Sequence, residues 1–181
     1  MSLFLRLFLV LFFQSRGRKA RALDTTRVIT RVMPNDLDLN RHVNNGRVFT
    51  LADLGRVDWF YRTGCLKVAL RDGTMPIIGD ATGRFIKQLK LFERIHIDSR
   101  LLGWGEKWAF MEHRLYRRDG KLAAIVVIRG MFWSARKGSV PVSALLDATG
   151  NVGLASPALP DWVQTWSSAL DQLTASAKTG Q

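Results

Sequence analysis

The stretch "GRVFTLADLGRVDWFYRTG", Gly46 to Gly64, constrains the fold more than any other part of the chain. Val48, Leu51, Ala52, Gly55 and Trp59 recur at helical spacing. Leu54, Val57, Phe60 and Tyr61 add a second apolar flank. A helix apolar around so much of its circumference has to be covered on several sides rather than on one. Gly64 predicts its stop. Gly55, with no side chain, predicts a place where another backbone approaches closely.

The flanking sequence supplies the cover. Before the helix, "TTRVITRVM" from Thr25 alternates as a strand with one buried face does, and Pro34 ends it. Gly64 to Pro76 reads as a connection. Four strand-like segments follow: "IIGDATGRFIKQLKL", "RIHIDSRLLGW", "KWAFMEHRLYRR" and "KLAAIVVIRGMFWSA". Asp119-Gly120 between the last two is a hairpin-turn signal. Arg94, His96, Asp98 and Arg100 alternate with Ile95, Ile97, Ser99 and Leu101, as on a half-solvated sheet. "SVPVSALL" predicts a short final element. "LPDWVQTWSSALDQLTASA" predicts a terminal helix with a stripe of Trp162, Val163, Trp166, Leu170 and Leu173. The class is therefore α+β: one antiparallel sheet wrapped around one long central helix, plus a C-terminal helix. The expected division is an apolar and basic segment over 1–24, a folded domain over 25–146, and a helix and tail over 147–181.

Composition limits the chemistry. The single cysteine, Cys65, excludes an intramolecular disulfide, and three histidines with one cysteine argue against a structural zinc site. No metal and no cofactor is expected. The net charge of +12 calls for a partner: nucleic acid, an anionic membrane surface, or a phosphate-rich ligand such as coenzyme A. No RNA-recognition signature, zinc-finger spacing or basic reading helix occurs, which argues against nucleic acid.

The bases crowd at the N-terminus, where Arg6, Arg16, Arg18, Lys19 and Arg21 precede the first acid, Asp24. Leu3 to Phe13 is apolar apart from Arg6. As a helix these eleven residues reach only about 16 Å, half a bilayer core, so the segment is too short to span alone. Two placements fit: an interfacial anchor on anionic lipid, or a helix or strand packed on the domain or on a second subunit. The expected location is cytoplasmic, peripheral at the membrane on the first placement.

The densest polar cluster is "NDLDLNRHVNNG", Asn35 to Gly46, just before the long helix. Asn44 or Asn45 suits a helix N-cap, but a cap needs one such residue, not Asp36, Asp38, Asn40, His42, Asn44 and Asn45 together. Free N–H groups at a helix start stabilise negative charge, including charge developing on a carbonyl oxygen under attack. A carboxylate beside them can activate water or attack directly, with histidine and asparagine as polar partners. Those are the parts for acyl transfer to water. Other hydrolytic motifs are missing: there is no G-x-S-x-G and no H-E-x-x-H.

"DLDLNRHVNN" resembles the D-x-N-x-H-x-N-N pattern of hotdog-fold acyl thioesterases, particularly the acyl-carrier-protein thioesterases of plants, and the wider 4-hydroxybenzoyl-CoA thioesterase-like superfamily. The resemblance runs from about Thr25 to Ala135 and implies the hotdog fold. It also implies a homodimer or homotetramer with sites near subunit interfaces, and an acyl-CoA or acyl-carrier-protein substrate. It implies Asp38 as nucleophile or general base, Asn40 and His42 as its polar partners, the Asn45 N–H as carbonyl polariser, and Asp36 as a structural acid. Arg41 departs from the relatives' Gly or Gln before the histidine. Arg136 and Lys137 are candidates for the coenzyme A phosphates, against the reading of a solvated turn. Met33, Phe49, Trp59 and Phe60 are candidates for an acyl tunnel, against ordinary core packing. A hotdog hydratase fits less well, since its histidine lies five residues beyond the Asp rather than four. A non-catalytic acyl-CoA-binding or regulatory module is the alternative from another class.

Overall fold

The computed structural model describes residues 3–179. Its central helix, α2 (Asn45–Arg62), is the helix predicted, with Asn44 as N-cap and Gly64 at φ +81° just beyond the C-cap. Its buried residues, Val48, Leu51, Ala52, Leu54, Gly55, Asp58, Trp59 and Phe60, leave no single dry stripe. The sheet supplies the cover. β1 (Thr26–Arg31), β2 (Thr74–Phe85), β3 (Arg94–Trp104), β4 (Ala109–Tyr116) and β5 (Leu122–Ser134) form one antiparallel sheet in the order β1-β3-β4-β5-β2. A short β6 (Gly138–Val140) pairs with the end of β5. This is the hotdog arrangement.

The contact of α2 with the sheet is close. A Cβ on Gly55 would lie 2.2 Å from the Ser99 Oγ and 3.0 Å from an Ile97 methyl carbon. Glycine therefore lets side chains of β3, rather than another backbone, reach the helix surface. The alternation read along β3 holds: Ile95, Ile97, Ser99 and Leu101 are buried. The β4–β5 turn is the one foreseen, with Gly120 at φ +79°.

Two segments differ from expectation. Gly64 to Pro76 contains a helix, α3 (Cys65–Arg71), before β2 begins at Thr74. Its single exposed flank and short length give little periodicity to detect. "SVPVSALL" divides into part of β6 and a helix, α4 (Val142–Asp147).

The terminal helices close the structure. α5 (Asp161–Thr179) lies on the outer face of the sheet, where Val163 and the partly buried Trp166 join Leu102, Phe110 and Val127 in a second core. Trp162 and Leu173, expected in its stripe, are exposed. Gly103 accommodates the approach, since a Cβ there would lie 2.9 Å from both Leu159 and the Pro157 carbonyl.

At the other terminus α1 (Leu3–Leu9) continues as a π-helical turn, Val10–Ser15. Arg6, Val10 and Ser15 are buried. The Ser15 hydroxyl donates to Asp58 of α2 at 2.6 Å. The Gln14 amide both donates to and accepts from the Ile29 backbone at 2.8 Å, which occupies part of the free edge of β1. Val10 and Ala22, on the N-terminal side of residue 24, share the core of the domain. The packed placement holds for one face of the segment. Among the described residues no helix is long and apolar enough to cross a membrane.

Candidate active site

The polar cluster folds into a loop held at both ends. A short 3-10 turn, Pro34–Asp36, starts it, and Leu37 bridges Val43 across it. The Asp38 N–H donates to the His42 carbonyl at 3.0 Å, and the Asn44 N–H donates to the Asp36 carbonyl at 2.9 Å. Arg41 at the tip takes φ +59°, the left-handed region. The turn requires that conformation, and Arg41 adopts it at a cost of about 1 kcal/mol. The turn folds His42 back toward Asp38.

The result is a carboxylate–imidazole pair. Asp38 Oδ2 lies 3.4 Å from His42 Nδ1, and both side chains are 24% exposed, so solvent and a ligand reach them. Asp38 Oδ1 accepts the Asn40 N–H at 2.9 Å. The Asn40 contribution in the structure is this backbone donor; the residue itself is exposed. His42 bridges Lys90, which anchors the loop against the turn after β2.

The helix start completes the geometry. Asn44 Oδ1 accepts the Gly46 N–H at 2.8 Å and its carbonyl takes the Arg47 N–H at 2.9 Å. The first N–H, that of Asn45, has no acceptor available within the helix. His42 and Asn45 line a cavity of about 160 Å³ together with Val48, Phe85, Lys87 and Ala123, among others. His42 and Asn45 thus share one opening, and Asp38 stands beside it through its 3.4 Å contact with His42 rather than in its lining.

Asp36 is placed differently. It is fully buried and receives Arg6 at 2.6 Å, the Met33 N–H at 2.8 Å and Arg47 at 3.0 Å. Burial pushes its carboxyl pKa up, but the bonds from Arg6, Met33 and Arg47 outweigh that and hold it below the ordinary value. A carboxylate so enclosed has no access to the opening. It ties the loop to the N-terminal segment and to α2.

The remaining candidates are more scattered. Arg136 and Lys137 are exposed in the turn after β5, whereas Ala123 and Ala124 at the start of β5 line the cavity. Ten strand residues, 125–134, separate Ala124 from that turn, so within one chain these bases lie far from His42. Trp59 and Phe60 belong to the core. Met33 lines a separate groove beside the N-terminal segment. Phe49 packs edge-on against Phe85 at 6.3 Å, next to the cavity.

The residues that sequence reading missed are the ones supplied from afar. Lys87 and Gln88 after β2 and Ala123 of β5 form the cavity wall. Arg6 reaches Asp36 across 30 residues. The lone arginine inside the apolar run was the one signal that could have found it. Among the described residues no cluster of His, Cys, Asp or Glu could hold a metal ion.

Comparison with known proteins agrees with the fold. The sequence profile of the thioesterase-like superfamily matches residues 32–167. Protein THEM6 of Xenopus laevis is 32% identical over 99 residues, 54% of this chain and 48% of that protein. The chain spans about half the length of the THEM6 relatives it matches. Among solved structures, YbaW, a probable thioesterase of Escherichia coli, superposes with a TM-score of 0.62 at 15% identity, covering 68% of this chain and 94% of that one. A hypothetical protein of Staphylococcus aureus, solved in complex with CoA, gives 0.61 at 13% identity over 80% of this chain and 95% of its own. At such identities the structures speak for the fold alone.

Proposed function

We propose, for a chain that belongs to the thioesterase-like superfamily, that it hydrolyses an acyl thioester of coenzyme A or of an acyl carrier protein. The observation that carries the reading is the Asp38–His42 pair, 3.4 Å apart, with His42 lining the same cavity as Asn45, the first residue of α2. The thioester carbonyl oxygen accepts the Asn45 N–H, so charge that develops on it during attack meets the positive end of the helix. Asp38 Oδ2 either takes a proton from the attacking water or attacks the carbonyl carbon itself. His42 orients that carboxylate or the water. The carbon–sulfur bond breaks and the thiolate leaves and takes up a proton; where Asp38 has attacked, water then cleaves the acyl–aspartyl anhydride, and on either route the products are a carboxylic acid and a free thiol.

The cavity lined by Val48, Phe85 and Ala123 accepts the apolar acyl group beside the carbonyl, with Lys87 at its polar edge. A cation there suits a phosphate-bearing carrier, as does the overall charge of +12. The S. aureus neighbour solved with CoA supports the same substrate class.

The site is proposed to work in a homodimer or a dimer of dimers. β2 is an edge strand, and Met75, Ile77 and Ile78 along it are 69%, 43% and 41% exposed. A long apolar edge of this kind pairs with a second copy more readily than it remains in water. Arg136 and Lys137 then act on the partner's substrate, because the antiparallel pairing of two β2 edges brings the far end of one sheet beside the near end of the other.

The experiment is a thiol-release screen against acyl-CoAs of graded chain length, with Asp38→Asn run on the best substrate. Loss of roughly 10²-fold or more in kcat with unchanged fold is expected. Near-normal kcat in that variant overturns the role of Asp38. Tight acyl-CoA binding without thiol release by the native chain would instead make it a binding module. Single turnover in ¹⁸O-water separates the two chemistries, since label enters the Asp38 carboxylate only if it attacks.

A further inference from the structure

The N-terminal segment has two faces, and the domain uses one. Arg6, Val10 and Ser15 turn inward. Phe4, Phe8, Phe12 and Phe13 turn outward, 83%, 55%, 47% and 68% exposed. Three of them form a continuous aromatic ridge, with Phe4 one helical turn before it: Phe8 stacks on Phe12 at 5.4 Å, and Phe13 meets Phe12 edge-on at 5.4 Å. A folded domain that leaves four phenylalanines together in water has a ligand for them.

The charge beside the ridge selects that ligand. Arg16, Arg18, Lys19 and Arg21 follow directly, all exposed and none in an ion pair. The Arg16 guanidinium lies 5.1 Å from the Phe12 ring centre, so cation and ridge are one surface. The nearest acid in sequence, Asp24, is turned to the Arg21 backbone N–H at 2.8 Å. A groove between the segment and β1 adds Arg31 and Arg94.

We infer that this face docks on an anionic lipid bilayer, with the phenylalanines in the headgroup–acyl boundary and the bases on lipid phosphates and carboxylates. The helix is too short to span and is held along the domain by its inner face, so it lies flat in the interface. A second copy of the chain is the poorer occupant, because two ridges face to face would bring the two sets of four cations together. The proposed dimer edge, β2, is also at the opposite side of the sheet from β1.

The test is flotation of the full chain with vesicles of phosphatidylcholine alone or with about 30% phosphatidylserine. Partition onto the anionic vesicles is expected to exceed that onto the neutral ones at least tenfold at low salt, and to fall only in part at high salt, since the apolar contribution survives screening. Phe8→Ser with Phe13→Ser should lower it about tenfold per residue. Replacing Arg16, Arg18, Lys19 and Arg21 by Gln should lower it about fivefold per charge. Phe13→Trp, which keeps the ridge, should show fluorescence quenched by brominated lipid. Equal partition onto both vesicle types, a serine variant that binds as the native chain does, or an unquenched Trp overturns the inference. A serine variant that halves the mass in solution also overturns it, because the ridge would then belong to a second copy.

Discussion

The two terminal helices are fastened to the domain by arginine–aspartate pairs of nearly equal length, Arg6–Asp36 at 2.6 Å and Arg129–Asp171 at 2.7 Å. Their surroundings differ. Arg6 and Asp36 are 2% and 0% exposed, while Arg129 is 3% exposed and Asp171 63%. In the first pair neither member can turn to water if the other is removed. In the second, Arg129 keeps Asp80 at 2.8 Å, the Ser167 hydroxyl, and the face of Trp108, and Asp171 simply hydrates. Bond length alone therefore says little about what a pair contributes; the fate of the abandoned partner decides.

The largest effect is expected from Arg6→Ala. Asp36 would stay buried with Arg47 and the Met33 N–H only, at a cost of about 3 kcal/mol in urea unfolding. Because Asp36 also holds Asn44 and hence the loop of Asp38, kcat on the best thioester should fall as well. A variant as stable as the native chain would erase the distinction between the two helices.

Acid should act on the domain through two groups. The Asp36 carboxyl is depressed in the folded state, so its stabilisation is present above the unfolded pKa of about 3.9 and is lost as pH falls through the folded value. His113 is the second. Burial, with Arg56 adding to it, pushes its pKa down to about 3, against about 6.5 unfolded. As pH falls below about 6.5 the unfolded chain takes up a proton that the folded chain refuses, so stability declines between about 6.5 and 3. His113→Gln, which can keep the bond that Ser99 makes to Nδ1 at 2.8 Å, should flatten urea midpoints between pH 7 and pH 5. An unchanged slope would locate the acid sensitivity elsewhere.

At the C-terminal helix the effects should be smaller. Val163→Ala removes two methyl groups from the fully buried contact with the outer sheet face and should cost about 1 to 2 kcal/mol. Asp171→Ala should cost about 0.5 kcal/mol and disappear into high salt. A loss there as large as that of Arg6→Ala would show that exposure does not separate the two pairs.

The sequence by itself determined the elements whose signals are local. The central helix, five of the strands, the Asp119-Gly120 turn and the Asn44 cap are written in period, breakers and side-chain chemistry within a few residues of where they act. The loop of Asp38, Asn40 and His42 was legible for the same reason, since its members lie within five residues of one another. Helix α3 was not, because seven residues carry too few turns to show a period. Tertiary structure alone decided the rest. It placed Ala123 and Lys87 beside His42, put Arg136 and Lys137 at the far end of β5, and sent Arg6 into the core against Asp36. Those contacts join residues far apart in the chain, and no local pattern records which strand end or which helix face a fold will bring together. The two faces of the N-terminal segment show the limit most plainly. An apolar run with one arginine reads the same whether that arginine meets water, lipid or a buried carboxylate, and only the position of Asp36 distinguishes them.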